Sequence, residues 1–314
     1  MKLIKRKLLL FLRGMAMGAV DLVPGVSAGT IALVTGIYDE LVHSIKSFNL
    51  QALRILKNEG LVPAWRYING QFLVILVAGI LFSLFSFAGI MRFLLDMFPL
   101  QLWSFFIGLI IASVIYLLRQ QSPARFFDMA LLVLGILCAY GISVSPAVVI
   151  EGSYISLFFA GSLALCAMIL PGISGSFILV LLGLYPAFIN ALVNVQIDFL
   201  LVFATGGVVG LMLFSRLLSW LLDHYKSAVI STMCGFLAGS ISILWPWKVV
   251  TPFITSASGK QIVTASQNLT PQGYLEVVGQ NPQTLSCILM FLAGIIIVFG
   301  VEAISTRLKK KRYE

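Results

Sequence analysis

Residues 14–45 read GMAMGAVDLVPGVSAGTIALVTGIYDELVHSI, and residues 161–192 read GSLALCAMILPGISGSFILVLLGLYPAFINAL. At an offset of 147, Gly14 meets Gly161, Pro24 meets Pro171, Gly25 meets Gly172 and Ser27 meets Ser174. Gly36 and Tyr38 meet Gly183 and Tyr185 in the same register. Downstream the offset becomes 127, where Gly79 aligns with Gly206, Leu84 with Leu211 and Gly108 with Gly235. Leu94, Leu95 and Asp96 align there with Leu221, Leu222 and Asp223. A repeat of this length reads as two copies of one structural unit. The 20-residue change of offset corresponds to an extra segment, 46–69, in the first copy. The halves are assigned to 14–150 and 151–306, between a basic N-terminus (1–13) and a basic tail (307–314).

The solvent of these halves follows from composition. Of 314 residues, 60% are hydrophobic and 11% charged, and the mean hydropathy is +1.02. Soluble domains average about 45–50% apolar and about 25% charged, so a soluble protein is excluded, as are a disordered chain, a disulfide scaffold and a coiled coil. Crossing a bilayer takes about 20 mainly apolar residues. Arg66 to Arg92 encloses 25 residues without a charge, Asp96 to Arg119 and Asp128 to Glu151 enclose 22 each, and Glu151 to Asp198 encloses 46. These runs lack the period-two alternation of a membrane barrel, so the expected fold class is an all-α polytopic membrane protein. Cys138, Cys166, Cys234 and Cys287 all lie within apolar runs without metal-ligand spacing and read as small buried hydrophobes. Arg13 interrupts the apolar stretch after Lys2–Lys7, so no cleavable signal peptide is expected.

Six crossings are expected, at about 70–94, 100–118, 129–147, 199–222, 227–246 and 285–305. With both termini cytoplasmic, eighteen of the 21 Lys and Arg residues fall on the cytoplasmic side, as the positive-inside rule requires. Segment 46–69 reads as an inner amphipathic insert, and 247–284 as the one long outer loop, with Trp245 and Trp247 as interface anchors. The first half holds three crossings, an odd number, so its copy must lie upside down. The expectation is two inverted repeats, each a PG-interrupted re-entrant helical hairpin plus three transmembrane helices. Inverted repeats with interrupted helices are typical of secondary transporters, although a duplicated structural bundle would carry the same pattern.

PGVSAGT (24–30) and PGISGSF (171–177) are the segments that can carry chemistry. Proline breaks the preceding helix and opens the next. Glycine permits close approach of a ligand. A helix restarting there offers free N–H groups and partial positive charge, which suits an anion. Pro24, Gly25, Ser27, Gly29, Thr30, Pro171, Gly172, Ser174, Gly175 and Ser176 are therefore the candidate phosphate-binding residues. The alternative is a Pro-Gly turn between packed helices. Asp21 is an acid in an apolar run, functional by default; it either carries a coupling proton or sodium ion or caps the next helix. Asp39 and Glu40 are candidates for ion coupling or gating, and are otherwise solvated. Arg13, Arg92 and Arg119 are candidate headgroup contacts, or simply topology residues. His43 and His224 read as surface residues.

RGMAMGAVDLVPGVSAGTIALVTGIYDELV (13–42) resembles the signature of the bacterial polyprenyl-phosphate transporter family, at Gly14, Met17, Gly18, Asp21, Pro24, Gly25, Ser27, Gly29, Thr30, Gly36, Ile37 and Tyr38. Ala28 stands where that family usually has glycine, and Asp39 takes its acidic position. The second PGISGS copy and the chain length extend the resemblance over the whole sequence. It implies a multi-pass protein of the bacterial cytoplasmic (inner) membrane that returns undecaprenyl phosphate from the outer to the inner leaflet. That lipid carries sugars for cell-wall synthesis. The partners implied are the carrier lipid and membrane lipids, not nucleic acid, with no cofactor beyond a coupling H+ or Na+; the oligomeric state stays open. Two alternatives remain, a lipid-pyrophosphate phosphatase and a carrier of a small soluble anion. Phosphoryl transfer needs acid–base groups and cationic stabilisation, and neither PG segment holds Arg, Lys or His. No enzymatic activity is expected.

Overall fold

The computed structural model describes residues 2–21, 27–120, 126–145, 153–250, 254–255, 261–262 and 266–310. The first half runs α1 (Lys2–Asp21), α2 (Ala28–Val34), α3 (Tyr38–Lys46), α4 (Leu50–Asn58), α5 (Leu61–Tyr67), α6 (Gly70–Met97), α7 (Pro99–Arg119) and α8 (Phe126–Val144). The second runs α9 (Tyr154–Ile169), α10 (Gly175–Leu181), α11 (Tyr185–Val193), α12 (Ile197–His224), α13 (Lys226–Gly239) and α14 (Ile241–Leu244). Strands β1 (Lys248–Val250), β2 (Ile254–Thr255), β3 (Gln261–Ile262) and β4 (Ser266–Asn268) precede α15 (Pro271–Val278) and α16 (Thr284–Lys310).

Among the described residues, five helical stretches are long and apolar enough to cross a membrane: α6, α7, α8, α12 and the run 226–244 formed by α13 and α14. Helix α9 and the 284–300 part of α16 are shorter apolar helices. The chain is a multi-pass, mostly helical membrane protein. It divides into two compact units, residues 1–91 with 147–229 and residues 92–146 with 230–314. Each unit therefore draws on both halves of the sequence.

The halves lay down the same elements in the same register. Shifting α2 and α3 by 147 residues gives the bounds of α10 and α11, and shifting α6 by 127 gives those of α12. Turn chemistry repeats as well. Gly36 and Gly183 take left-handed φ values of 72° and 68°. After α2, the Ile37 N–H reaches the Ala32 carbonyl at 3.0 Å and the Gly36 N–H the Leu33 carbonyl at 3.1 Å; Leu184 and Gly183 do the same to Leu179 and Val180. This is the Schellman stop, which glycine permits without a Cβ penalty.

Packing repeats too. Lipid tails are as apolar as leucine, so membrane helices gain by close backbone approach at small residues. In the first unit Gly14 and Gly79 let α1 and α6 touch, each admitting a carbonyl oxygen, of Leu76 and of Phe11 respectively. Gly161 and Gly206 do the same between α9 and α12, admitting the oxygens of Phe203 and Phe158, which are the equivalent positions. In the second unit α7 meets α16 at Gly108 and Gly294, and α8 meets α13 at Gly135 and Gly235. These last contacts match only if α8 and α16 are also paired, at an offset of 159. That third register was not visible in the sequence. Leu157, Ala160, Ala164, Leu179, Leu184 and Phe203 form a core cluster of the first unit.

The described parts of the 247–284 segment are held to their own unit. Strand β1 pairs antiparallel with β4. The Trp245 indole donates to the Leu269 carbonyl and that of Trp247 to the Pro282 carbonyl, both at 2.8 Å. Trp247 packs with Leu100, Tyr274 and Cys287. The two indoles thus staple this segment onto its own unit. Lys248 donates to the Ile243 carbonyl at 2.8 Å and stands 4.6 Å from the Trp103 ring centroid. Burial pushes its ammonium pKa below the ordinary value.

Candidate functional site

Helices α1 and α9 each stop where a PG segment begins, and short helices α2 and α10 restart beyond it. Pro24 and Gly25 lie outside the described residues, as does the side chain of Ser176. Pro171 is fully buried. Gly172 has a φ of 84°, a conformation that only glycine takes readily. Gly175 has no room for a side chain, since a Cβ there would stand 2.6 Å from the Ala164 carbonyl oxygen.

Ser27 is the N-cap of α2, with extended backbone (φ −114°, ψ 139°). Its Oγ accepts the Gly29 N–H at 3.1 Å and donates to the Met168 carbonyl at 3.0 Å. The Asp21 carboxylate accepts the Ala28 N–H at 3.1 Å. The first two amides of α2 are thus held by the chain's own side chains, which is how a buried helix start is satisfied. Tyr38 donates its hydroxyl to the Ile169 carbonyl at 3.1 Å. Gly29 fits beneath that same carbonyl, a place with no space for a Cβ. The last carbonyls of α9, a second-half helix, are therefore capped by first-half residues, and the start of α2 adjoins the end of α9. The Thr30 hydroxyl lies in this region only 4% exposed and has no hydrogen-bond partner among the described residues. An unpaired buried hydroxyl costs about 1–3 kcal/mol, so it is the polar group here with most to gain from a ligand.

A second constellation joins α3 to the end of α12 and the first residue of α13. Asp39 pairs with Lys226. His43 stands between the Asp39 carbonyl at 2.7 Å and the Asp223 carboxylate at 3.2 Å. Lys46 donates to Ser219 at 2.9 Å. Glu40 accepts from Asn69 at 3.0 Å. Asp39 and Glu40 were legible as candidates, whereas Asp223, Lys226 and Ser219 were not singled out. The repeat does not duplicate this latch. Asp39, His43 and Lys46 correspond to Pro186, Asn190 and Val193, and α11 carries no charge.

The candidate arginines have local partners. Arg92 pairs with Asp96 of its own helix at 3.8 Å, and both are exposed. Arg119 lies 5.8 Å from the Phe299 ring. Arg13 is half-buried on α1. Among the described residues no group of three or more His, Cys, Asp or Glu side chains is placed to hold a metal ion.

The undecaprenyl phosphate translocase-like family model matches residues 17–262, a span that includes both PG segments. The chain belongs to this family. A polyprenyl-phosphate transporter of Vibrio cholerae is 42% identical over 292 residues, which cover 93% of this chain and 95% of that protein. A polyprenyl-phosphate transporter of Staphylococcus aureus is 31% identical over 258 residues, covering 75% of this chain and 85% of its own. No solved structure matches the chain. Family and relatives are named for transport, so this chain is a transporter and not a phosphatase.

Proposed function

We propose that this chain carries undecaprenyl phosphate from the outer to the inner leaflet of the bacterial cytoplasmic membrane, by alternating access between two inverted halves. The observation that carries this reading is the start of α2 seated against the end of α9, with the buried Thr30 hydroxyl beside it and unpartnered among the described residues. The names of the two relatives support the substrate. The PG segments act as re-entrant hairpins, with Ser27, Thr30, Ser174 and Ser176 and the backbone around Gly25, Gly29, Gly172 and Gly175 holding the phosphate. Ser27 would exchange its Met168 carbonyl for a phosphate oxygen. The polyprenyl tail stays in lipid.

The test is lipid flipping in proteoliposomes. Each lost neutral hydrogen bond costs about 1 kcal/mol, so Ser27→Ala with Ser174→Ala is expected to slow flipping about tenfold or more. Wild-type rates would sink the site assignment.

The α3–α12 latch acts as the gate on the cytoplasmic side, and it opens when lipid is released. Exposed ion pairs are worth about 0.2–1 kcal/mol, so losing one shifts the gate only modestly. Asp39→Lys, facing Lys226, is expected to slow flipping about two- to fivefold. The swap Asp39→Lys with Lys226→Asp is expected to restore it. A swap no better than the single variant removes the pair from the gate.

A further inference from the structure

Between α11 and α12 the chain spends three residues, 194–196; between the equivalent α3 and α6 it spends 23, residues 47–69. The same connection is thus made in the second half without any hairpin. The added hairpin, α4 and α5, is well formed. Asn49 caps α4 by accepting the Gln51 and Ala52 N–H groups at 2.9 and 3.0 Å. Its amide donates to the Tyr67 hydroxyl at 3.1 Å, and that hydroxyl donates to Gln51, also at 3.1 Å, which ties α4 to the end of α5.

Yet its apolar side chains face away from the protein. No residue of α4 is buried. Leu50 is 72% exposed, Leu61 is 73% exposed, and Leu53, Leu56, Val62 and Trp65 are exposed as well. Leu50, Leu53 and Leu56 form one stripe, because residues three apart share a helix face. Arg54 and Lys57 share that side of the helix, each four residues beyond a leucine of the stripe, and Arg66 is exposed on α5. Glu59 is the single acid of the segment.

What covers this face follows from its attachment. Helix α6 begins at Gly70, two residues after the cap of α5. Gly70 lies under the Trp65 ring, where a Cβ would come within 2.6 Å of the indole. The hairpin is therefore held at the level where α6 starts its crossing, and the exposed Val74 and Val77 continue its apolar surface along α6. An apolar stripe with cations beside it at that depth matches the boundary between headgroups and acyl chains.

We propose that the α4–α5 hairpin is a lipid-binding surface that lies in the membrane interface. Its leucines, Val62 and Trp65 enter the acyl boundary, and Arg54, Lys57 and Arg66 bind the phosphates of anionic phospholipid. A cation beside the membrane is drawn to an anionic surface and not to a neutral one. Three cations against one acid therefore give a clear preference for anionic over neutral lipid.

The full chain is reconstituted in nanodiscs of phosphatidylcholine, with or without phosphatidylglycerol. Amide exchange across 50–67 is expected to be about tenfold slower with phosphatidylglycerol. Lipid brominated near the headgroup is expected to quench a tryptophan component that Trp65→Phe removes. Arg54→Gln with Lys57→Gln and Arg66→Gln should abolish the difference between lipids while α6 stays protected. Equal exchange in the two lipids, or no quenching of Trp65, overturns the proposal. So does protection of 50–67 that appears only when a second copy or a soluble protein is added. None of these readouts requires transport to be measured.

Discussion

Asp21→Asn is expected to lower polyprenyl-phosphate flipping by about two orders of magnitude while leaving the fold intact. The carboxylate does two separable things. It accepts the Ala28 N–H at 3.1 Å, and it puts an ionisable group at the end of an apolar helix. Asparagine keeps an oxygen that accepts the same N–H, so the cap survives and only the charge goes. Alanine loses both, and a lost cap costs about 1 kcal/mol of stability. A charge-assisted bond to a coupling cation or proton donor is worth about 1.5–3 kcal/mol, which corresponds to about 10- to 150-fold in rate. If Asp21 couples transport to H+ or Na+, asparagine and alanine are equally slow, and flipping by both is insensitive to an imposed ion gradient. If it only caps, asparagine behaves like wild type and alanine alone loses thermal stability. Flipping in proteoliposomes with and without a gradient, together with a melting curve, separates the two.

The sequence made some of this legible, for physical reasons. Proline and glycine act locally, so the interruptions of α1 and α9 could be located from residues 24–25 and 171–172. The left-handed turns at Gly36 and Gly183 follow from the same local chemistry. Apolar runs bounded by charges marked α6, α7, α8 and α12 because hydrocarbon imposes length and exclusion of charge on any crossing. Partners distant in sequence were not legible. Nothing local to Ser27 says that its hydroxyl reaches Met168, 141 residues away. Free N–H groups were expected at the start of α2, but Asp21 and Ser27 already occupy its first two amides. The pattern could not reveal that, because both are ordinary capping residues as well as ordinary phosphate ligands. Asp223 and Lys226 looked like the edges of a span, and only the fold sets them against α3. Nothing local to Trp245 and Trp247 says that their indoles reach the Leu269 and Pro282 carbonyls.

Gly206→Leu is expected to be the most destabilising single substitution among those considered, more so than the loss of any hydrogen bond at the site. A Cβ at Gly206 would stand 2.7 Å from the Phe158 carbonyl carbon and closer still to its oxygen. Both atoms are helix backbone, so no side chain can rotate away; α9 and α12 must separate. Separation also opens the reciprocal contact at Gly161. In water the added leucine would recover part of that loss by burial, but lipid offers the same apolar surroundings on either side. Overpacking costs about 1–3 kcal/mol even where side chains can yield, so this backbone clash should reach the upper end or beyond. Gly79→Leu strikes the equivalent contact, against the Phe11 carbonyl of α1, and is expected to cost a similar amount. Gly89→Leu on α6 is the control. Nothing lies within 4 Å of a Cβ there, and replacing an exposed helical glycine gains up to about 1 kcal/mol. Thermal unfolding in detergent, read with the monodisperse fraction on size exclusion, orders the three. If Gly206→Leu melts with Gly89→Leu, α9 and α12 do not meet at these glycines. If Gly79→Leu alone is tolerated, the two crossings are not equivalent, and the repeat in the sequence does not extend to the packing of α1 on α6.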